Sequence, residues 1–276
     1  MLKEILVKKA DGSIEPFMVS KLEHSLKSAG ASEGVKKEIV ETIINELFDG
    51  ISTKKIYRSA FNLLREKEKK PIAAKYSLKA AIFNLGPSGF PFEDFIAEVY
   101  RSMGYKTKTG VILEGVCAEH EVDLFATYNG KKYGAEIKFH NHQGVKTDLK
   151  VALYVYARFD DLKKSNEVDQ GILITNTKFT KSALSYGKCV GLKMIGWDSP
   201  KEENLYSLIE DSGLHPITCL STLSSQDKKR LIENKVLLCR TIIENASILE
   251  TNGVSTQRIP NVLEEARVLC QPGTGV

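Results

Sequence analysis

The chain has 276 residues, 42% of them apolar and 27% charged, with 20 Gly, 8 Pro and one Trp. At roughly 150 residues per domain this length suggests about two domains; the apolar share excludes a disordered chain, and the low Gly and Pro exclude a fibrous one. Lys and Arg number 39 against 35 acidic residues, a net +4 that divides into +5 over residues 1–88, +1 over 89–200 and −2 over 201–276. That excess is too modest to establish nucleic-acid binding by charge alone.

No run approaches the ~18 consecutive apolar residues of a membrane span, so no membrane partner is expected. The opening Met1-Leu2-Lys3-Glu4-Ile5 carries no apolar core followed by a cleavage site, and the expectation is a cytoplasmic protein. Cys117, Cys189, Cys219, Cys239 and Cys270 are widely spaced with no C-x-x-C pair, which argues for reduced, mostly buried thiols and against a structural zinc site.

In chain order, Ile5–Lys9 and Ile14–Phe17 flank Ala10-Asp11-Gly12-Ser13 and read as a hairpin. Four helices follow: one near 19–29 ending at Gly30, one over 33–48 ending at Gly50, a third capped by Ser52 or Thr53, and a fourth opening at Pro71. Arg65–Lys70 between them reads as a solvated helix end. Gly86-Pro87-Ser88-Gly89 breaks the pattern. A helix with Phe92, Phe95, Ile96 and Val99 then leads to strands near 108–116, 121–128 and 131–138, the last two joined by the hairpin turn Asn129-Gly130. A helix over 147–162, a strand at 171–175, a short helix near 178–187 and a strand at 191–196 complete an α/β unit. After Pro200 the chain reads all helical, with caps at Ser225 and Ser255.

Asp123 precedes Glu136-Ile137-Lys138 by thirteen residues. Side chains two apart on a strand share a face, so Glu136 and Lys138 stand side by side, and the Asn129-Gly130 turn can bring Asp123 next to them. Two carboxylates from adjacent strands suit a hard cation such as Mg²⁺ (or Mn²⁺), and a lysine beside them suits the attacking water of phosphodiester hydrolysis. The competing reading places these charges on the wet side of a sheet. Glu119-His120-Glu121 is a weaker metal cluster, because adjacent strand residues point to opposite faces. Lys150, Tyr154 and Arg158 form one helical stripe, suited equally to DNA phosphates or to solvent.

Asp123…Glu136-x-Lys138, after the helix opened by Gly89-Phe90-Pro91-Phe92-Glu93, resembles the PD-(D/E)XK nucleases, in particular their Mrr-type restriction endonuclease branch. Val122 stands where the named pattern has Pro. The resemblance covers about 89–200. It implies a restriction-endonuclease-like mixed sheet flanked by helices, with Asp123 and Glu136 as metal ligands, Lys138 at the nucleophilic water and Glu93 as an auxiliary catalytic ligand. Over residues 1 to about 85, Val7-x-Lys9-x-Asp11-Gly12 with Lys21 opening a helix resembles the ATP-cone, a regulatory nucleotide-binding domain. That resemblance implies an ATP or dATP effector contacted by Val7, Lys9 and Lys21, although Ala10 replaces the usual Arg.

The expected protein is therefore α/β: an ATP-cone over 1–88, a nuclease-like domain over 89–200 and a helical domain over 201–276. Its expected activity is Mg²⁺-dependent DNA cleavage by a homodimer formed through the C-terminal helices. The alternative is a non-catalytic, nucleotide-sensing DNA-binding regulator.

Overall fold

The computed structural model describes residues 5–68, 70–201 and 203–270. Residues 1–4, Lys69 of the basic run, Glu202 and residues 271–276 lie outside the described residues.

The N-terminal unit begins with β1 (Leu6–Lys8) and β2 (Ile14–Pro16), antiparallel across a turn where Gly12 takes φ +82°. Helices α1 (Val19–Ser28) and α2 (Glu33–Glu46) precede β3 (Ile51–Ser52), which lies parallel to β1 with Val7 opposite Ile51. Ser52 also caps α3 (Thr53–Lys67), its hydroxyl accepting from the Lys55 N–H at 3.2 Å. The sequence carries no signal for this third strand, because two residues show no alternation to read. Apolar residues at helical spacing, Leu22, Leu26, Ile39, Ile43 and Leu64 among them, enclose Val7 in a separate small core.

The predicted fourth helix divides into α4 (Lys70–Tyr76) and α5 (Leu78–Phe83). Then α6 (Phe90–Ser102) leads into β4 (Lys106–Glu114), β5 (Glu119–Tyr128) and β6 (Lys131–Lys138), an antiparallel meander. Asn129 and Gly130 both take positive φ, 50° and 77°, and close the β5–β6 hairpin in two residues, as the sequence predicted. A two-residue strand β7 (Lys146–Thr147) and helix α7 (Leu149–Lys164) come next. They are followed by β8 (Gln170–Thr175), β9 (Lys178–Phe179), α8 (Lys181–Val190) and β10 (Lys193–Ile195). β7 and β9 pair only with each other.

The main sheet has the order β10-β8-β6-β5-β4, so β6 joins a parallel half to an antiparallel half. Parallel neighbours require crossovers, and α7 and α8 supply them on one face, with Val155, Phe159, Leu162 and Ala183 packed on Val122 and Leu173. The other face carries α6, whose Phe92, Phe95, Ile96 and Val99 meet Leu124, Ala135, Ile137 and Ile172.

The C-terminal region comprises α9 (Leu205–Ser212), a 3₁₀ turn at Ile217–Cys219, α10 (Ser225–Glu233), α11 (Cys239–Glu244), α12 (Ser247–Thr251) and α13 (Ile259–Leu269). Two expected caps shift. Ser224, not Ser225, caps α10, in a reciprocal capping box with Asp227, and α13 starts at Ile259 after Arg258 rather than at Ser255. These helices do not form a core of their own: Leu205, Ile209, Ile217, Leu238 and Val262 belong to the same apolar cluster as α6 and the sheet. No described helix is long and apolar enough to cross a membrane. All five thiols are free, and Cys117 and Cys189 are exposed rather than buried.

Candidate active site

The β5–β6 ladder stops at Leu124↔Ala135. Beyond it the Ile137 N–H donates to the Asp123 Oδ2 at 2.6 Å, so a side chain takes the bond that a strand backbone would otherwise accept. The two strands part there, and the split end of the sheet presents Asp123, Glu136 and Lys138 together. On β6 the alternation is strict. Ala135 and Ile137 enter the core beneath α6, whereas Glu136 and Lys138 point towards α7.

Glu136 is only 3% exposed, which overturns the wet-face reading of this strand. Its Oε1 lies 2.5 Å from the Lys138 Nζ, and its Oε2 accepts from Arg158 of α7. Arg158 also donates to the Glu121 carbonyl at 2.9 Å and to the Tyr154 hydroxyl, and its guanidinium stacks over the Tyr154 ring. Its Nε is buried without a partner. The stripe read from the sequence therefore splits: Lys150 and Tyr154 face solvent, while Arg158 turns inward onto the buried Glu136 carboxylate, with which it pairs. Helical spacing placed Arg158 on a stripe but carried no signal for its partner.

Glu93, from the first turn of α6, completes an acidic group. Its carboxyl is pushed up to about 7, first by burial and then by the charges of Asp123, Asp94, Glu136 and Glu121. Burial also raises Asp123, against the lowering effect of the Ile137 N–H. Carboxylates that raise one another in this way are held close enough to repel. Among the described residues no three His, Cys, Asp or Glu side chains are already gathered tightly enough to enclose a metal ion. The donor chemistry nevertheless fits a hard divalent cation: oxygen ligands only, with mutual repulsion that a cation would relieve.

His120 does not belong to this group. It pairs with Asp161 at 2.9 Å, and Asp161 also accepts from the Cys117 and Ala118 N–H groups, which clamps the β4–β5 turn to α7. These bonds, His120 first, lower the Asp161 carboxyl to about 2. In the N-terminal unit, Lys9 and Lys21 converge on Glu15 at 3.2 and 3.0 Å. Val7 is a core residue whose side chain is closed off from solvent, leaving its backbone alone to meet a ligand.

A mixed five-stranded sheet with a helix before it, a carboxylate at the split of its central hairpin and a Glu-x-Lys strand beside that carboxylate defines the restriction-endonuclease-like class. Family comparison agrees: residues 87–201 match the Mrr-type restriction endonuclease catalytic family, residues 5–81 the ATP cone domain, and residues 215–270 the family described as AF1548-like, C-terminal. An uncharacterized protein of Archaeoglobus fulgidus is 38% identical over 173 residues, covering 62% of this chain and 98% of that protein. A crystal structure described as protein of unknown function AF1548 is 35% identical with a TM-score of 0.55, covering 66% of this chain and 98% of that one. The chain belongs to this AF1548-like family, as a member that carries an ATP-cone and a restriction-endonuclease-like domain together.

Proposed function

We propose that the protein is a divalent-metal-dependent DNA endonuclease whose activity responds to an adenine nucleotide. The observation that carries this reading is the buried Glu136, held between Lys138 and Arg158 beside Asp123 at the split of the sheet. A fully buried carboxylate is costly unless it has work as a ligand or a partner, and here it stands beside Asp123 and Glu93, whose carboxyls are both pushed up, first by burial and further by neighbouring charge, that of Glu136 included. Asp123 and Glu136 would hold Mg²⁺ or Mn²⁺, with Glu93 as an auxiliary ligand. When bound, such an ion polarises the phosphoryl oxygen and stabilises the leaving oxygen.

Lys138 is the residue placed to orient the attacking water and to offset charge developing on the phosphorus oxygens. Arg158 pairs with Glu136 and fixes its rotamer, and its unpartnered Nε gives the site one donor in reserve. One such site cuts one strand at a time, so symmetrical cleavage of a duplex calls for two copies related by a two-fold axis. The N-terminal unit would take ATP or dATP through Lys9 and Lys21.

The second reading, a non-catalytic DNA-binding regulator, is favoured by one observation: both oxygens of Glu136 are engaged by cations within the chain. Plasmid cleavage in Mg²⁺ and in Mn²⁺ separates the two. Wild type should nick or linearise DNA, Glu136→Ala should lose metal binding and cleavage together, and Lys138→Ala should bind metal but turn over ~10²–10³-fold more slowly. Variants that cut as fast as wild type would remove the site from the reaction. Light scattering with and without DNA reads the oligomeric state, and a monomer in both would make the protein a nickase.

A further inference from the structure

The N-terminal unit, the loop after β6 and the C-terminal helices enclose a cavity of about 1170 Å³. Six cations line it: Lys8, Lys9, Lys54, Arg58, Lys79 and Lys228. No aspartate or glutamate stands among the described lining residues, and among the described residues Lys9 alone of the six cations has an ion-pair partner, Glu15. Lys79 sits over the Trp197 ring at 5.6 Å, and the Lys228 Nζ donates to the Thr218 carbonyl at 3.0 Å. Burial pushes both of these ammonium groups down, against the smaller opposing pulls of Asp198 on Lys79 and of Cys219 and Glu265 on Lys228. Tyr57, Phe61 and Phe83 give the same cavity aromatic walls. Several unpaired cations beside aromatic rings, in a space of this size, match a polyphosphate attached to a flat base.

The loop on the cavity wall leads straight to the catalytic strand. From Lys138 the chain runs through Phe139 to His140. There Asn176 exchanges two hydrogen bonds with the His140 backbone, accepting at 2.8 Å and donating at 2.9 Å, so the base of the loop is pinned. Its tip, Asn141 to Gly144, lines the cavity. Gly144 packs so closely on the N-terminal hairpin that a Cβ there would meet the Ala10 carbonyl at 2.6 Å. Lys146 reaches Asp11 of the same hairpin at 3.5 Å.

We propose that this cavity binds a nucleoside triphosphate whose phosphates are held jointly by the N-terminal unit and by Lys228 of the C-terminal helices. Its occupancy is felt at Lys138 through the 141–144 loop. The inference rests on the nucleotide-binding reading of the N-terminal unit and extends it, because Lys228 and the loop lie outside the residues matching the ATP cone. A ligand that tethers three parts of the chain favours one arrangement of them, which is what an effector of the nuclease site requires.

Calorimetric titration of the full chain with ATP, dATP and inorganic triphosphate tests this. ATP or dATP should bind more tightly than triphosphate alone. Lys228→Met should weaken nucleotide binding by about ten- to a hundredfold, the usual weight of a charge-assisted contact. Gln143→Glu, an exposed change that sets a carboxylate in the cavity, should weaken it as well, which keeps the test valid if Lys228→Met folds poorly. The ratio of plasmid cleavage with and without ATP should depart from one in wild type and return to one in both variants. If both variants titrate like wild type while Lys9→Ala binds weakly, the joint site is wrong and the nucleotide reading of the N-terminal unit stands. No heat from any nucleotide would overturn both. Equal affinity for triphosphate and ATP, or binding of DNA oligonucleotides in place of nucleotide, would overturn the nucleoside triphosphate assignment.

Discussion

Arg158 decides how Glu136 behaves. Removing one partner of a buried ion pair leaves the other charge uncompensated, and here, among the described residues, Lys138 is the cation left to share it. Arg158→Met should therefore cost about 3–5 kcal/mol in metal-free buffer, a loss that urea unfolding measures directly. The same change frees one oxygen of Glu136, so Mg²⁺ should raise the melting temperature of the variant more than that of wild type. An equal rise in both would mean that Arg158 and a cation do not compete for that carboxylate. Asp161 makes a second residue-scale prediction. Its lowered carboxyl is stabilising above the ordinary aspartate range, near 4, and that contribution is lost as the pH falls towards about 2. Asp161→Asn should thus melt several degrees below wild type at pH 7, with the gap closing as the pH drops through that window. A gap independent of pH would assign the loss to packing alone.

Among the elements, α7 is seated on the sheet by an absence of side chains. Gly134 and Gly171 are register partners on β6 and β8, and the Phe159 ring lies over both. A Cβ at Gly171 would come within 2.4 Å of that ring, and one at Gly134 within 2.6 Å. Since Arg158 directly precedes Phe159, lifting this ring also displaces the guanidinium from Glu136. Gly171→Ala should destabilise by about 1–3 kcal/mol through overpacking and should slow cleavage as well, although Gly171 touches no site residue. Chemical denaturation and plasmid cleavage on the same preparation check both effects. Unchanged cleavage would mean that the position of α7 does not matter to the site.

For the molecule as a whole, the C-terminal helices matter through the core they share. The apolar faces over 201–276 exceed what a short acidic bundle needs, which suggested a dimer interface. In the structure Leu205, Ile209, Ile217 and Val262 spend those faces against the layer formed by α4, α5 and α6. A chain ending at residue 200 should therefore expose the back of α6, bind a hydrophobic dye and aggregate, whereas removal of residues 1–68, which leaves α4 and α5 in place, should leave a folded, cooperative protein. A soluble, cooperatively melting fragment ending at 200 would show that the sheet domain is independent of those helices.

Local chemistry made much of this legible. Periodicity, caps and the Asn129-Gly130 turn specify elements within a few residues of one another, so the helix-meander-helix order and the Asp123…Glu136-x-Lys138 phasing followed from the sequence by itself. Short strands such as β3, β7 and β9 escaped, because two residues have no pattern and gain their partners only when the chain has folded. The inward turn of Arg158, the pairing of His120 with Asp161, the single core shared by the last two regions and the three-sided basic cavity were decided by tertiary structure alone. Each depends on which distant surfaces meet. Sequence spacing states which face of its own element a side chain occupies, but not what that face is packed against.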